Sequence, residues 1–349
     1  MNDDIERHVE ALWAAATAGD EHAAAAAAMA ALDSGVPMET LLLDVVAAVQ
    51  SRVGREWAAN RITVAQEHTA TAINERVVAA LAHHPALRIY PAPTRGRITV
   101  ACIDGEWHAF PARLLAEVLR VRGWRVDYLG AQVSTPPLVA HLHRTNPDAA
   151  ALSSSLAIRL PAAHMAISAC QAAGMPVLVG GAAFGPDGRY ARLLGADAWA
   201  PDARAAADLL AAGPLPRRPT SEQNGPPHLA DPEYTQLSLS AADLVRSVVE
   251  ELARHAPETA AYTDQPCGPT AETIAYIVDF LRAALYVDDP ELFSSFAGWM
   301  AGMFSARGIP ARELLAALQT VADRLTDSPR ALAMLARVRT ELSRSGPGR

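Results

Sequence analysis

The sequence predicts an α/β domain that lies between two all-helical domains. Residues 96–212 alternate short apolar segments with helical ones, which is typical of a parallel, doubly wound sheet. Residues 1–88 and 237–345 instead carry apolar residues at helical spacing. A proline-rich stretch, residues 213–236, separates the α/β domain from the second helical domain, and we expect it to be a semi-rigid linker.

Four helices are predicted in the first domain, which we expect to be a four-helix bundle. The second of them is mostly alanine, the best helix former, and the third carries an apolar stripe after a break at Gly35 and Pro37. Thr63 and Gln66 form a capping-box pattern, which marks the start of the fourth. The predicted helices are Ile5–Thr17, Glu21–Leu32, Met38–Trp57 and a fourth that runs to about Ala82.

Five strands and five helices are predicted in the middle domain. The strands are Ile98–Ile103, Val126–Leu129, Ala149–Ser153, Val177–Gly180 and Ala198–Ala200. The helices are Pro111–Arg122, Pro137–Arg144, Pro161–Ala173, Tyr190–Leu194 and Ala203–Ala212. Ligands of such sheets bind outside the carboxyl ends of the strands, which directs attention to residues 104–108, 153–155 and 180–181.

The third domain shows five helical stripes and holds most of the chain's phenylalanine. Its predicted helices are Leu239–His255, Thr270–Leu285, Leu292–Phe304, Ala311–Leu325 and Pro329–Ser343.

Composition excludes several classes of function. The 349 residues are 50% hydrophobic with a net charge of −8, so we expect packed cores and no direct nucleic-acid binding. The chain has no lysine, which excludes a Schiff-base lysine and a Walker-type phosphate loop. The three cysteines show no zinc spacing, and no apolar run reaches the length of a membrane span. A cytoplasmic protein without a signal peptide is therefore expected.

His108 is the first candidate ligand, because it follows a strand and precedes a helix that Pro111 helps to start. Glu106 could accept the N–H of the other ring nitrogen, which would fix the tautomer and make the ligating nitrogen more basic. A lone Glu-x-His pattern also fits a surface histidine at a helix start. The residues Ser153, Ser155, Gly180 and Gly181 end neighbouring strands and leave room for a polar ligand group, although ordinary tight turns show the same composition.

These residues together resemble the cobalamin-binding domain of corrinoid proteins, a flavodoxin/Rossmann-like fold. The pattern consists of Glu106-Trp107-His108, then Ser153 with Ser155-Leu156, then Gly180-Gly181. The resemblance implies that His108 is the lower cobalt ligand and that the nucleotide tail inserts beside the serine and glycine loops. One departure concerns the glycine that this family carries three residues after the histidine, where this chain has Pro111.

The first domain adds a second resemblance. Trp57, Glu67 and His68 form the spacing Trp-x9-Glu-His, and Val64 belongs to the stretch around it. This pattern resembles the upper cap of CarH-type light-sensing repressors, which use adenosylcobalamin, although a packed tryptophan and a solvent-facing Glu-His pair would look the same. The resemblance implies that Trp57 and Glu67 hold the adenosyl group in the dark and that His68 becomes the upper cobalt ligand after light. The winged helix of that family is not expected here, because the cap begins near Met1.

The third domain resembles the globin-like sensor domains of photocobilins, which bind biliverdin. Candidate pocket residues are His255, Cys267 and Tyr276, with Tyr262, Phe280, Phe296, Trp299, Arg254 and Arg282. The arginines suit propionates and Cys267 suits a thioether. Plain helix-bundle core and a haem with His255 as axial ligand remain alternatives.

The sequence therefore favours a photoreceptor rather than an enzyme. We expect a homo-oligomer, dimer or tetramer, whose assembly depends on light, and an unidentified downstream protein partner. A corrinoid methyl carrier is the main alternative, although Trp57 and the Glu67-His68 pair count against an exposed upper face. A mutase is disfavoured, since no barrel domain is present, and a cofactor-free scaffold protein would leave His68 and His108 without a shared role.

Overall fold

The computed structural model describes residues 2–84, 94–216, 232–255 and 270–344. The chain divides into two compact units, Met1–Thr220 and Ser221–Arg349. The first unit holds a helical cap and the α/β domain, and the second unit is helical.

The cap is built from the predicted helices, with one irregularity. Thr63 and Gln66 form the predicted capping box, so the start of the last helix is confirmed. The predicted third helix contains a wider π-helical turn, Leu41–Val46, between two α-helical segments. The elements are α1 (Asn2–Thr17), α2 (Glu21–Asp33), α3 (Met38–Thr40), the π turn, α4 (Ala47–Ala58) and α5 (Val64–Ala82).

The α/β domain contains five strands with helices between them. The strands are β1 (Arg97–Cys102), β2 (Arg125–Gly130), β3 (Ala149–Ser153), β4 (Val177–Gly180) and β5 (Ala198–Ala200). The helices are α6 (Phe110–Val121), α7 (Thr135–Thr145), α8 (Leu160–Ala172), α9 (Arg189–Leu193) and α10 (Ala203–Ala212). The prediction of a parallel, doubly wound sheet is confirmed, because every paired strand runs parallel to its neighbour.

The order of the strands identifies where a ligand can bind. The sheet runs β2-β1-β3-β4-β5, so the chain leaves β1 in one direction and later returns to its other side. In this flavodoxin-like order the crevice opens at the carboxyl ends of β1 and β3. Cys102 pairs with Ser153 and Ser153 pairs with Gly180, which aligns the ends of three strands at one edge.

The cap packs on the α/β domain through α6. Helix α6 contacts the sheet through β1 and β2 and contacts the cap through α3, α5 and the π turn. Leu12 and Val46 of the cap and Val118 of α6 belong to one buried hydrophobic cluster. Arg122, which follows α6, donates two hydrogen bonds of 2.8 Å to the Glu39 carboxylate of the cap. Arg204 of α10 also pairs with Glu39 and Asp44 of the cap, so the two parts of the first unit share one core and several ion pairs.

The described part of the second unit contains five helices: α11 (Glu233–His255), α12 (Ala271–Val287), α13 (Pro290–Ala306), α14 (Ala311–Asp323) and α15 (Pro329–Arg344). Helix α11 starts inside the predicted linker because Glu233 has a structural partner. Its buried carboxylate accepts the main-chain N–H groups of Arg330 and Ala331, both at 3.0 Å. The first turn of α15 is thereby capped by a residue of α11.

In the described ranges, none of the helices combines the length and the apolar character that crossing a membrane requires.

Candidate functional site

Glu106 is the centre of the candidate site at the sheet edge. It follows β1, and its side chain is fully buried. One oxygen, Oε1, accepts the main-chain N–H of His108 at 2.9 Å and lies 2.6 Å from the Nδ1 atom of the same residue. The other, Oε2, accepts the main-chain N–H groups of Ser155 at 2.7 Å and Leu156 at 3.1 Å, and the hydroxyl of Ser154 at 3.2 Å.

These donors keep Glu106 ionised. Burial alone would raise the pKa of this carboxyl group, since a charge is costly in a dry interior. The hydrogen bonds from His108 and Ser155 outweigh the burial and lower the pKa of Glu106 to about 2. At neutral pH the site therefore holds a buried carboxylate whose charge is directed at the imidazole ring.

His108 shows the arrangement typical of a metal-ligating histidine. Because Nδ1 faces the Glu106 carboxylate, the proton of the neutral ring resides on Nδ1 and the lone pair on Nε2. The side chain is 33% exposed, so the ring is accessible. Trp107 is half exposed and stacks on the imidazole with 3.8 Å between ring centroids. His108 thus offers the lone pair of Nε2 from a partly exposed side chain beyond the carboxyl end of β1.

The loops after β3 and β4 are closely packed. Ser154 donates its main-chain N–H to the Gly180 carbonyl at 3.1 Å, and its own carbonyl accepts from Ala183 at 3.2 Å. Gly181 has a φ of +101°, and a Cβ there would lie 2.2 Å from the Ser154 carbonyl oxygen. No side chain can stand between these two main-chain segments, which confines the choice at 181 to glycine.

The serine whose side chain contacts Glu106 is Ser154, the neighbour of the predicted Ser153. Ser153, the predicted site residue, lies within β3 and is buried, whereas Ser154 is the serine whose hydroxyl reaches Glu106. Ser155 and Leu156 contribute main-chain N–H groups rather than side chains. Ser154 was missed because a run of three serines gives no composition signal. Its position, one residue beyond the last residue of β3, is the signal that could have found it.

The cap places its own histidine against a carboxylate. Glu67 and His68 lie in the first turns of α5, and Nδ1 of His68 contacts Oε2 of Glu67. The Thr71 hydroxyl donates to the other oxygen of Glu67 at 3.0 Å. The His68 side chain is 66% exposed while Glu67 is 22% exposed, so the carboxylate lies deeper than the ring.

The other predicted cap residues lie near this pair in the chain. Trp57 is partly exposed near the end of α4, six residues before the Thr63 cap that starts α5. Val64 is 53% exposed one turn before His68, on the same face of α5. Among the described residues, no hydrogen bond or ion pair joins His68 to His108. The structure brings together two Glu-His pairs in one compact unit, each with its own neighbours.

The second unit brings together part of the predicted bilin pocket. Phe280 and Phe296 stack at 3.8 Å, and Trp299 lies 6.4 Å from Phe296. Tyr276, one turn before Phe280 on α12, is 40% exposed and Trp299 is 49% exposed. The side chain of His255, together with Tyr262 and Cys267, lies outside the described residues.

The two candidate arginines are engaged by neighbouring acids. Arg254 pairs with Glu251, and Arg282 pairs with Asp279 at 2.9 Å while it donates to the Ser238 hydroxyl. A propionate at either arginine would have to compete with these partners.

Within the described ranges, no group of three or more histidine, cysteine or acidic side chains is arranged to hold a metal ion. Cys102 and Cys170 are free and buried, and burial raises the pKa of both thiols to about 12. Neither thiol is a nucleophile at neutral pH.

Comparison with known proteins gives two domain matches. Residues 96–210 match a family described as B12 binding domain, and residues 9–82 match a second family with the same description. The first range covers the sheet, Glu106 and His108, and the second covers Trp57, Glu67 and His68.

A curated relative and a solved structure extend these matches. The HTH-type transcriptional repressor CarA of Myxococcus xanthus is 35% identical over 126 residues, which is 35% of this chain. The matched part spans 41% of that repressor, well under its full length. The structure of the Methanosarcina barkeri monomethylamine corrinoid protein aligns with a TM-score of 0.51 at 18% identity, covering 60% of this chain and 99% of that one. At this identity the likeness concerns the fold alone.

Proposed function

We propose that this chain, which carries two regions matching B12 binding domains, is a light sensor with adenosylcobalamin as its cofactor. The observation that carries the proposal is a shared arrangement of two histidines. His68 and His108 each have Nδ1 against a glutamate carboxylate, so each presents Nε2 as a ligating nitrogen. One lies in the cap and the other at the sheet edge, so the two histidines would hold the cobalt of a cobalamin from the two parts of the first unit.

The residues present fit a cobalamin. A basic imidazole nitrogen stands at the switch point of the sheet, where this fold binds ligands. The close approach of Gly181 to Ser154 removes side-chain bulk beside the crevice, which suits a long polar tail that runs along main chain. Bound adenosylcobalamin would supply a cobalt–carbon bond that light cleaves.

On the lower side, His108 would hold the cobalt through Nε2. Glu106 would keep the ring oriented, and its five hydrogen bonds tie that orientation to the ends of β1 and β3. The negative charge of the buried carboxylate would also stabilise a histidine that is bound to a metal cation.

On the upper side, Trp57, Val64 and Glu67 would contact the adenosyl group in the dark. Trp57 and Val64 offer partly exposed apolar surface, and Glu67 offers a carboxylate to a ribose hydroxyl or adenine amine. His68 is exposed in the structure and is therefore free to take the upper position when the adenosyl group leaves. The cap would then have two states, one with the adenosyl group bound and one without it, and light would shift the balance between them.

We propose further that the second unit binds biliverdin beside the Tyr276–Phe280–Phe296–Trp299 stripe. Stacked rings with exposed ends suit a flat tetrapyrrole. Because both candidate arginines are paired, aromatic contact rather than arginine would supply most of the binding. The chain would be a non-enzymatic receptor, and its output would be a change of homo-oligomeric state read by a protein partner rather than by nucleic acid.

The test is absorption spectroscopy of the full chain. The protein is given adenosylcobalamin and biliverdin in the dark, desalted and lit with green light. A retained alkylcobalamin spectrum that converts to a stable bis-histidine spectrum, with a change in mass by light scattering, is the expected result. A retained far-red band is expected from biliverdin, and its survival in denaturant in wild type but not in Cys267→Ala would show a thioether.

Two other outcomes would decide against the proposal. Retained cobalamin that photolyses only as fast as free cofactor, with no bis-histidine product, favours the corrinoid methyl carrier, which needs the Glu106-His108 pair but no cap response. No retained cobalamin at all favours a cofactor-free scaffold.

A further inference from the structure

A chain of hydrogen-bonded side chains runs from the interior of the cap to Glu67. The amide nitrogen of Asn74 donates to the Gln50 side-chain oxygen at 2.8 Å. The amide nitrogen of Gln50 donates to the Thr71 hydroxyl oxygen at 2.8 Å, and the Thr71 hydroxyl donates to Glu67 Oε1 at 3.0 Å. Helix α5 carries Glu67, Thr71 and Asn74 at four- and three-residue spacing, and α4 supplies Gln50.

The charge on Glu67 fixes the direction of every link. An ionised carboxylate only accepts, so the Thr71 hydroxyl has to donate to it. The Thr71 oxygen then accepts, which requires Gln50 to present its amide nitrogen. Gln50 is left with its oxygen free to accept from Asn74. In all three hydrogen bonds the donor therefore lies on the side away from Glu67 and donates toward it.

The burial of Asn74 indicates that these hydrogen bonds do more than join two helices. Asn74 is fully buried among the apolar residues of α5, and within the described residues its Oδ1 atom has no hydrogen-bond partner. A buried polar group with an unmet acceptor is costly, and an apolar side chain would fill the same position at lower cost. The polar side chain of Asn74 is explained by the group at the other end of these hydrogen bonds, the Glu67 carboxylate beside His68.

We propose that Gln50, Thr71 and Asn74 are positioning residues that hold the Glu67 carboxylate, and through it the Nδ1–H tautomer of His68. The proposal rests on the proposed function for the role of His68 as upper ligand. It extends the support of the upper site from the single residue Glu67 to a line of side chains anchored in the cap core. His68 is thereby kept with Nε2 as its ligating atom before any ligand is bound.

The first test uses the full chain without cofactor. Nitrogen-15 spectra of labelled histidine report which ring nitrogen of His68 carries the proton, with His68→Gln used to assign the signal. We expect the Nδ1–H form in wild type and in Thr71→Ser, which keeps the hydroxyl. Thr71→Val should give a mixture of tautomers. Thr69→Val, on an exposed threonine of the same helix, is the matched control and should behave as wild type.

The second test uses the chain loaded with adenosylcobalamin and lit. Added imidazole competes with His68 for the upper position, and the concentration at half displacement measures how well His68 holds it. Removal of an outer hydrogen-bond partner of a metal-bound histidine weakens binding by about 10-fold or more, so Thr71→Val should lower that concentration by about 10-fold. Circular dichroism checks that each variant is folded.

The two tests separate the two hypotheses. If wild type forms the bis-histidine spectrum and Thr71→Val matches it in tautomer and in imidazole competition, the positioning role is refuted. If no bis-histidine spectrum forms in wild type but Thr71→Val still shifts the His68 tautomer, the positioning role holds and the light-sensing proposal fails.

Discussion

Oε1 of Glu106 binds His108 twice, through the ring atom Nδ1 at 2.6 Å and through the main-chain N–H at 2.9 Å. A single carboxylate oxygen therefore fixes the path of the chain and the orientation of the ring at one residue. Such a ring needs little reorganisation on ligand binding, because its rotamer and tautomer are already set.

Replacement of His108 should remove the lower ligand. We expect His108→Ala to weaken cobalamin retention by more than about 10-fold and to leave any bound cofactor with the spectrum of a form not bound by histidine. Dialysis followed by absorption spectroscopy measures both. His143→Ala, on an exposed histidine of α7, is the control and should retain cobalamin as wild type does. Equal retention by both variants would contradict the assignment.

Acid should destabilise the cofactor-free protein partly through Glu106. Its pKa is about 2 in the folded chain against an ordinary 4.5, so its ionised form favours folding above 4.5, and this gain is lost as pH falls from 4.5 toward 2. A difference of that size corresponds to about 3 kcal/mol for a fully buried group. Wild type and Glu106→Gln are unfolded with urea between pH 3 and 7. We expect the free energy of unfolding to fall less steeply with decreasing pH in the variant than in wild type. An equal pH dependence in the two proteins would mean that the charge of Glu106 does not stabilise the fold.

Replacement of His68 should affect the lit state alone. In the dark the proposed upper ligand is the adenosyl group, so His68→Ala should bind adenosylcobalamin as wild type does. After illumination it should give an aquo spectrum in place of the bis-histidine one, since no cap imidazole remains. His22→Ala, on an exposed histidine of α2, should still give the bis-histidine spectrum. An unchanged lit spectrum in His68→Ala would assign the upper ligand elsewhere.

The glycine loop offers a matched pair of substitutions. Gly181→Ala and Gly174→Ala both place a side chain at positive φ, which costs about 1–2 kcal/mol. At Gly174 the new Cβ meets nothing within 4 Å, whereas at Gly181 it lies 2.2 Å from a main-chain oxygen. We expect Gly181→Ala to lose about 1–3 kcal/mol more in free energy of unfolding, measured by urea titration. Similar losses in the two variants would show that the loop relaxes.

The sequence predicted most of the α/β domain because its strands are short, buried apolar runs between turn residues. The observed bounds of β3, β4 and β5 equal the predicted ones, and β1 is displaced by one residue. The start of α11 was predicted six residues too late, since Glu233 is held by main-chain groups of Arg330 and Ala331 almost a hundred residues away. Local patterns carry no information about such a partner.

The candidate site was predictable only in part, for the same reason. The contact between Glu106 and His108 could be predicted because it joins residues two apart. The hydroxyl of Ser154 and the Gln50–Thr71 link bridge residues 48 and 21 positions apart, and only the folded chain brings them together. The end of β3 was predicted correctly, but composition does not show which of three successive serines directs its hydroxyl toward Glu106.

One hydrophobic cluster joins Leu12 and Val46 of the cap to Val118 of α6. We therefore expect that the cap and the α/β domain fold only together. A truncated protein that begins after residue 84 would leave apolar side chains of α6 in water, and it should aggregate or bind a hydrophobic dye. The same continuity implies a single cooperative melting transition for the first unit. Any transfer of the first unit to another protein should therefore take residues 2–216 together.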